Sequence, residues 1–288
     1  MITPERIVPE GTLVAVGGNE DKTADLEVLR TICELPEGGT DVVEIIPTAS
    51  NYPEEAAEQY IEPFQKLGCT TVNIMDIRDR DAANDPEHVQ RILDADVVFF
   101  TGGDQLRITN LLGGSDLLKT LLGHYQRGGV IAGTSAGAAA MSQAMIYQGH
   151  AGHALRKGNV QMTPGMGFIR NAVVDSHFTQ RGRFSRLLEV VTSNPGVIGL
   201  GLDEDSGVVV RDGDRIEAIG SGVVVVIDGH DMRYSNVTQV RMGQAIAEEG
   251  VRVHTLTRGH GFHLVDLKYL RPGAAMLEED HEDATLPA

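Results

Sequence analysis

Short apolar runs rich in β-branched residues alternate with helix-patterned stretches over the first two hundred residues, and that alternation leaves few folds open. Candidate strands occupy 13–16, 42–46, 71–75, 97–100, 130–132, 172–174 and 197–202, with helices at 26–35, 54–67, 87–93 and 116–127. Strands interleaved with helices of this length form βαβ units, and so a largely parallel sheet covered on both faces. After Asp205 the texture changes: 208–211, 215–219 and 223–227 read as a hairpin and meander, turned at Asp212-Gly213. The expected fold is a doubly wound, mostly parallel α/β sheet with a C-terminal antiparallel β extension. One domain is expected over 1–288, with an α/β core to residue 205, the meander over 206–275, and an acidic tail, 276–288, that frays.

Composition narrows function mostly by exclusion. A chain of 288 residues with 41% hydrophobic content can bury a substantial core. The net charge of −17 argues against a nucleic-acid surface, which needs a basic excess; it suits solubility or the attraction of guanidinium-bearing ligands. No apolar run reaches 18 residues, so no membrane span is expected, and residues 1–6 carry no secretory pattern. Cys33 and Cys69 read as buried thiols of a reducing compartment. The expected location is cytoplasmic.

In open α/β sheets ligands bind outside the carboxyl ends of the strands, so the residues just past each strand carry the functional reading. After the fifth candidate strand stands Gly133-Thr134-Ser135-Ala136-Gly137, followed by helix-forming residues 138–145. Gly-x-Ser-x-Gly on a strand-to-helix turn is the pattern of a nucleophile elbow, whose small residues permit a strained backbone that pushes the Ser135 hydroxyl outward. A serine hydroxyl needs a base, and of ten histidines His177 alone directly follows a buried-looking strand at this edge. The base needs a carboxylate to hold its tautomer; Asp175, Asp203, Glu204 and Asp205 are candidates, and the pattern does not choose among them. Oxyanion donors are expected from the amides of Ala136 and of Gly103, in the glycine pair after the fourth strand.

Gln180, Arg181, Arg183 and Arg186 follow the sixth strand. Guanidiniums there suit a substrate with a free carboxylate near the scissile bond, as an exopeptidase meets. Four other histidines read as ordinary residues rather than metal ligands. His150 and His153 sit in a glycine-rich loop, and the spacing of His260 and His263 points them to opposite faces of a strand.

Four segments then occur in a telling order: Phe100-Thr101-Gly102-Gly103-Asp104-Gln105, Gly133 to Ala138, Asp175-Ser176-His177-Phe178-x-Gln180-Arg181-Gly182-Arg183, and Gly201-Leu202-Asp203-Glu204-Asp205. Together they resemble the cyanophycinases, relatives of the aspartyl dipeptidase peptidase E, from about the first strand through the meander. The resemblance implies a class I glutaminase-like α/β fold with serine in place of cysteine, and a triad of Ser135, His177 and Glu204. It implies a serine exopeptidase acting on cyanophycin, a polyaspartate carrying arginine in isopeptide linkage, from the C-terminal end to release β-Asp-Arg. Gln105, Asp175, Arg181, Arg183 and Arg186 match positions lining the dipeptide pocket, while Ser176 stands where several relatives carry glutamine and alters one contact. A homodimer is implied, and no metal or cofactor is required. Two other readings are an aspartyl or isoaspartyl dipeptidase and a catalytically silent glutaminase-fold binding protein. The order serine, histidine, acid counts against a conventional α/β-hydrolase esterase, whose acid precedes its histidine.

Overall fold

The computed structural model describes residues 8–150 and 154–273, so the acidic tail and His153 lie outside the described residues. The first half runs β1 (Thr12–Val16), α1 (Glu27–Glu34), β2 (Val42–Ile46), α2 (Pro53–Lys66), β3 (Thr71–Ile74), α3 (Pro86–Asp94), β4 (Val97–Phe100), α4 (Gln105–Leu112), α5 (Asp116–Gln126) and β5 (Val130–Thr134). Side chains cap three of these helices: Asp85 accepts from the Glu87 amide, Asp104 from Leu106 and Ser115 from Leu118. Apolar periodicity does not single out α4, because its buried residues are only Ile108 and Leu112. The five strands pair in parallel in the order β1-β5-β4-β2-β3. One face buries Val14, Ile45 and Phe99 against Leu29, Tyr60 and Phe64 of α1 and α2, and the other buries Leu13, Val98 and Phe100.

After β5 comes α6 (Ala136–Ala140), shorter than the helix-forming stretch at 138–145. The chain leaves it for β6 (Ala144–Gly149), which pairs with β7 (Val160–Pro164), so Met145 lies on a strand. Alanine and methionine favour helix intrinsically, but hairpin pairing and the burial of Met145 and Ile146 outweigh that weak preference. Next come β8 (Ala172–Asp175), α7 (Phe184–Ser193), β9 (Ile198–Leu202), β10 (Ser206–Arg211), β11 (Arg215–Gly220) and β12 (Val224–Asp228). The described chain finishes with β13 (Tyr234–Ser235), β14 (Glu248–Glu249), β15 (Arg252–Leu256), β16 (Gly261–His263) and β17 (Lys268–Leu270).

The central sheet continues past β1 through β10, β11, β16 and β17, all antiparallel. Strands β8 and β9 do not join it. They pair in parallel within a second sheet, ordered β15-β12-β9-β8 and covered by Leu187, Val190 and Val191 of α7. Both are buried throughout, and a run buried on both faces carries no mark of its neighbours. The meander divides as well. Its β10–β11 hairpin turns at Asp212 and Gly213, with φ of 57° and 77°, whereas β12 crosses over to pair with β9. Two sheets therefore bring their strand ends to one place. His177 N–H donates to Gly17 O (2.8 Å), Ser135 N–H to Val16 O (2.9 Å), and Phe178 N–H to Leu202 O (3.0 Å).

Among the described residues no helix is long and apolar enough to cross a membrane. Cys33 and Cys69 are buried free thiols whose sulfurs lie 3.6 Å apart, well beyond the roughly 2.05 Å of a disulfide.

Candidate active site

Ser135 sits between the last residue of β5 and the first of α6, with φ 54° and ψ −108°. That conformation is costly for a residue with a β-carbon and persists only where the surroundings enforce it. Gly137 makes the enforcement possible: a β-carbon there would stand 2.6 Å from the Phe100 carbonyl oxygen, so only glycine lets α6 press onto β4. His177, just past β8, is also left-handed (φ 47°) and sits beside Ser135. Its Nε2 lies 2.9 Å from Ser135 Oγ, and its Nδ1 lies 2.7 Å from Glu204 Oε1.

Of the four acids the pattern left open, Glu204 is the one on the imidazole. Asp203 accepts the Thr179 amide (3.0 Å), and Asp205 accepts the Asp21 amide (2.9 Å) and the Ser221 hydroxyl (2.5 Å). Asp175 is held by arginines. The Gln180 side-chain carbonyl accepts the backbone N–H of Glu204 (3.2 Å), so Gln180 braces the acid and does not line the cavity beside Ser135.

Burial lowers the pKa of His177 below the ordinary histidine value; Glu204 pulls it back up, and the charges of Arg181 and Arg183 push it down further. The hydrogen bond to His177 holds the Glu204 carboxyl below the usual glutamate range. A general base works as neutral imidazole, so a lowered pKa keeps it competent to lower pH. The acidic limb of kcat/KM is therefore expected to fall below the unperturbed value of about 6.5. A pH–rate profile with its acidic limb above that value would contradict this assignment of the base.

Two amides flank the serine. The Ala136 N–H is the first of α6, unused by the helix. Gly103 follows β4 with φ 144°, and a β-carbon on it would stand 2.2 Å from the Ala49 carbonyl oxygen. Gly102 lies against Ser135, and both Gly103 and Ala136 line the cavity that Ser135 faces. Gly103→Ala must displace this loop, so kcat is expected to fall by about 10² or more, the loss typical of one oxyanion donor. Steady-state kinetics on a variant with unchanged circular dichroism reads this, and wild-type turnover would remove Gly103 from the reading.

The cavity beside Ser135 encloses about 300 Å³. Asp175 forms its floor, 2% exposed, and accepts Arg186 Nε at 2.6 Å, Arg186 Nη2, and Arg183 Nη1 at 3.2 Å. Arg183 also donates to the Ser176 carbonyl (2.6 Å), and Ser176 itself is buried. Burial brings the Arg183 guanidinium down to about 10, still charged at neutral pH. Two of the three expected carboxylate-binding arginines are thus already occupied by Asp175. Among the described residues Arg181 lines the cavity with no carboxylate in ion-pair reach, which leaves it as the cation open to a ligand. Gln105 donates to the Ile146 carbonyl (2.8 Å), tying α4 to β6, whose Tyr147 and Gln148 complete the wall.

Sequence reading did not single out Asn19, which donates to Glu204 Oε2 at 3.0 Å, or Glu20, which accepts Thr134 Oγ1 at 2.7 Å and the Tyr60 hydroxyl. Their signal was position alone, just past β1. His260 contacts Thr257, and His263 lies 3.7 Å from Asp214; neither belongs to the site. Among the described residues no group of three or more His, Cys, Asp or Glu side chains is arranged to hold a metal ion.

Comparison with known proteins gives a consistent picture. The family model described as peptidase family S51 matches residues 12–218. A cyanophycinase from Geminocystis herdmanii is 36% identical over 252 residues, covering 87% of this chain and 92% of the relative. A cyanophycinase from a Nostoc species is 34% identical, covering 90% and 89%. The crystal structure of a peptidase from an acI-B1 actinobacterium superposes with a TM-score of 0.67 at 23% identity, covering 90% of this chain and 98% of that one, a likeness of fold.

Proposed function

The chain belongs to peptidase family S51, and from that premise we propose that it is a serine exopeptidase that degrades cyanophycin from the C-terminal end. The observation that carries the reading is the hydrogen-bonded relay Ser135–His177–Glu204 opening onto a cavity whose uncommitted cation is Arg181. Arg181 receives the terminal carboxylate, as a guanidinium fork suits. Ser135 Oγ attacks the last α-peptide carbonyl of the aspartate backbone while His177 Nε2 takes its proton. The Gly103 and Ala136 amides hold the tetrahedral oxyanion. As the intermediate collapses, His177 returns the proton to the leaving amine and β-Asp-Arg departs. Water, deprotonated by His177, then releases the shortened polymer from the acyl-enzyme.

The strained turn at Ser135 acts here as the nucleophile elbow. The two free thiols fit a reducing, cytoplasmic setting, and the family resemblance extends the reading to a homodimer, checked by light scattering on the purified protein. The deciding experiment incubates the protein with insoluble cyanophycin beside α-Asp-Arg and β-Asp-Arg dipeptides. Clearing of the polymer with release of β-Asp-Arg is the expected result. Hydrolysis of the dipeptides alone would favour an aspartyl dipeptidase instead, and no hydrolysis of any of the three a silent binding protein.

A further inference from the structure

We infer that Asn19 is a positioning residue that holds the Glu204 carboxylate against His177, an inference that rests on the triad read above. Glu204 is a long side chain, 29% exposed, hanging from the end of β9. With only the His177 bond, its carboxylate is free to pivot about Oε1 into solvent. Asn19 Nδ2 donates to the other oxygen, so both ends of the carboxylate are fixed. The amide does this without charge. A lysine or arginine in its place would draw the negative charge away from the imidazolium that Glu204 has to stabilise.

Asn19 sits on a segment tethered on both sides. Its φ of 50° is a left-handed conformation that asparagine, aspartate and glycine accept most readily. On one side, Gly17 O accepts the His177 amide and Gly18 O accepts the Asp205 amide at 2.9 Å. On the other, Glu20 binds Thr134, the neighbour of Ser135. One segment past β1 therefore bonds to the His177 amide, to the Asp205 amide beside Glu204 and to the Thr134 hydroxyl beside Ser135, and Asn19 is its side-chain contact to Glu204.

The charged groups facing the pair come from three elements. Arg181 and Arg183 follow β8, Asp203 and Asp205 flank Glu204, and Glu20 and Asp21 flank Asn19 on its own segment. Asp203, Asp205 and Asp21 spend their carboxylates on backbone amides or hydroxyls, and Glu20 spends its own on the Thr134 and Tyr60 hydroxyls and on Lys22, 3.4 Å away. The Glu204 carboxyl is lowered chiefly by His177, with Asn19 contributing in the same direction.

Two variants test the inference, both able to keep the left-handed turn. Asn19→Gly removes the amide. Its kcat is expected to fall about fivefold at unchanged KM, the equivalent of one ordinary, partly solvated hydrogen bond. The low-field proton resonance of the His177 Nδ1–H bond is expected to broaden as solvent reaches it. Either change without the other, or neither, overturns the inference; a purely structural role would lower activity or Tm and leave the resonance sharp. Asn19→Asp reads the same contact through charge. A second carboxylate facing Glu204 stabilises the imidazolium, so the His177 pKa rises in a titration followed by NMR, and an unmoved titration overturns the inference. The NMR readouts need no substrate. Failure of the functional reading shows separately, as turnover that survives in Ser135→Ala.

Discussion

Ser135→Ala is expected to lower kcat by a factor on the order of 10⁴ to 10⁶, with cyanophycin still bound. The size follows from the way the relay acts as a unit. On the proposed mechanism, removing the hydroxyl leaves His177 and Glu204 nothing to activate, and only the Gly103 and Ala136 amides would remain to stabilise direct attack by water. Binding should survive because the substitution leaves Arg181 and the Asp175–Arg183–Arg186 floor untouched. Burst-phase kinetics separate the steps: an acyl-enzyme burst is expected of the wild type and none of the variant. A variant that retains even a hundredth of wild-type kcat would mean that another group is the nucleophile.

The largest stability effect is expected from Asp175→Ala. Among the described residues Asp175 is the sole anion contacting two guanidiniums, those of Arg183 and Arg186, whose side chains are only 15% and 9% exposed. Removing the carboxylate leaves two cations buried without a counter-ion. Breaking a buried pair in this way costs about 3–5 kcal/mol, far more than the pair itself contributes relative to apolar side chains. For a chain of this size that corresponds to roughly 5–8 °C in Tm. Because the repulsion is between charges, Asp175→Ala/Arg186→Met should recover part of the loss even though it deletes a second native group. Thermal melts of both variants decide this. If the single variant melts within a degree of the wild type, Asp175 is not the keystone of the cavity floor.

Much of the site's chemistry was legible along the chain because it follows strands. Ser135, His177 and Glu204 each stand just past an apolar run, and an apolar run with a turn after it is the clearest signal a sequence carries. Less legible was which sheet each strand joins. Residues 172–175 and 198–202 are buried on both faces, so no alternation marked the neighbour that β8 or β9 would take. The stretch at 138–145 misled for a related reason: alanine and methionine speak for helix locally, and only the pairing of β6 with the distant β7 overrides them.

Side-chain commitments were the hardest part to foresee. Gln180 and two of the three arginines looked available to a ligand, yet each is engaged within the protein, by the Glu204 backbone or by Asp175. Asn19 and Glu20 stood in plain view past the first strand. Their role depends on Glu204 and Thr134, which are 185 and 114 residues away.

That distance has a consequence for the timing of activity during biosynthesis. Ser135 comes from the central sheet, His177 and Glu204 from the second, and the segment past β1 bonds to His177, to Asp205 beside Glu204 and to Thr134 beside Ser135. Contacts this far apart in sequence close late, after the loops between them have collapsed. A nascent chain released only through β5 already carries the serine turn but neither of its partners. On the proposed mechanism, turnover therefore requires β8 and β9 of the second sheet to be in place as well as β5.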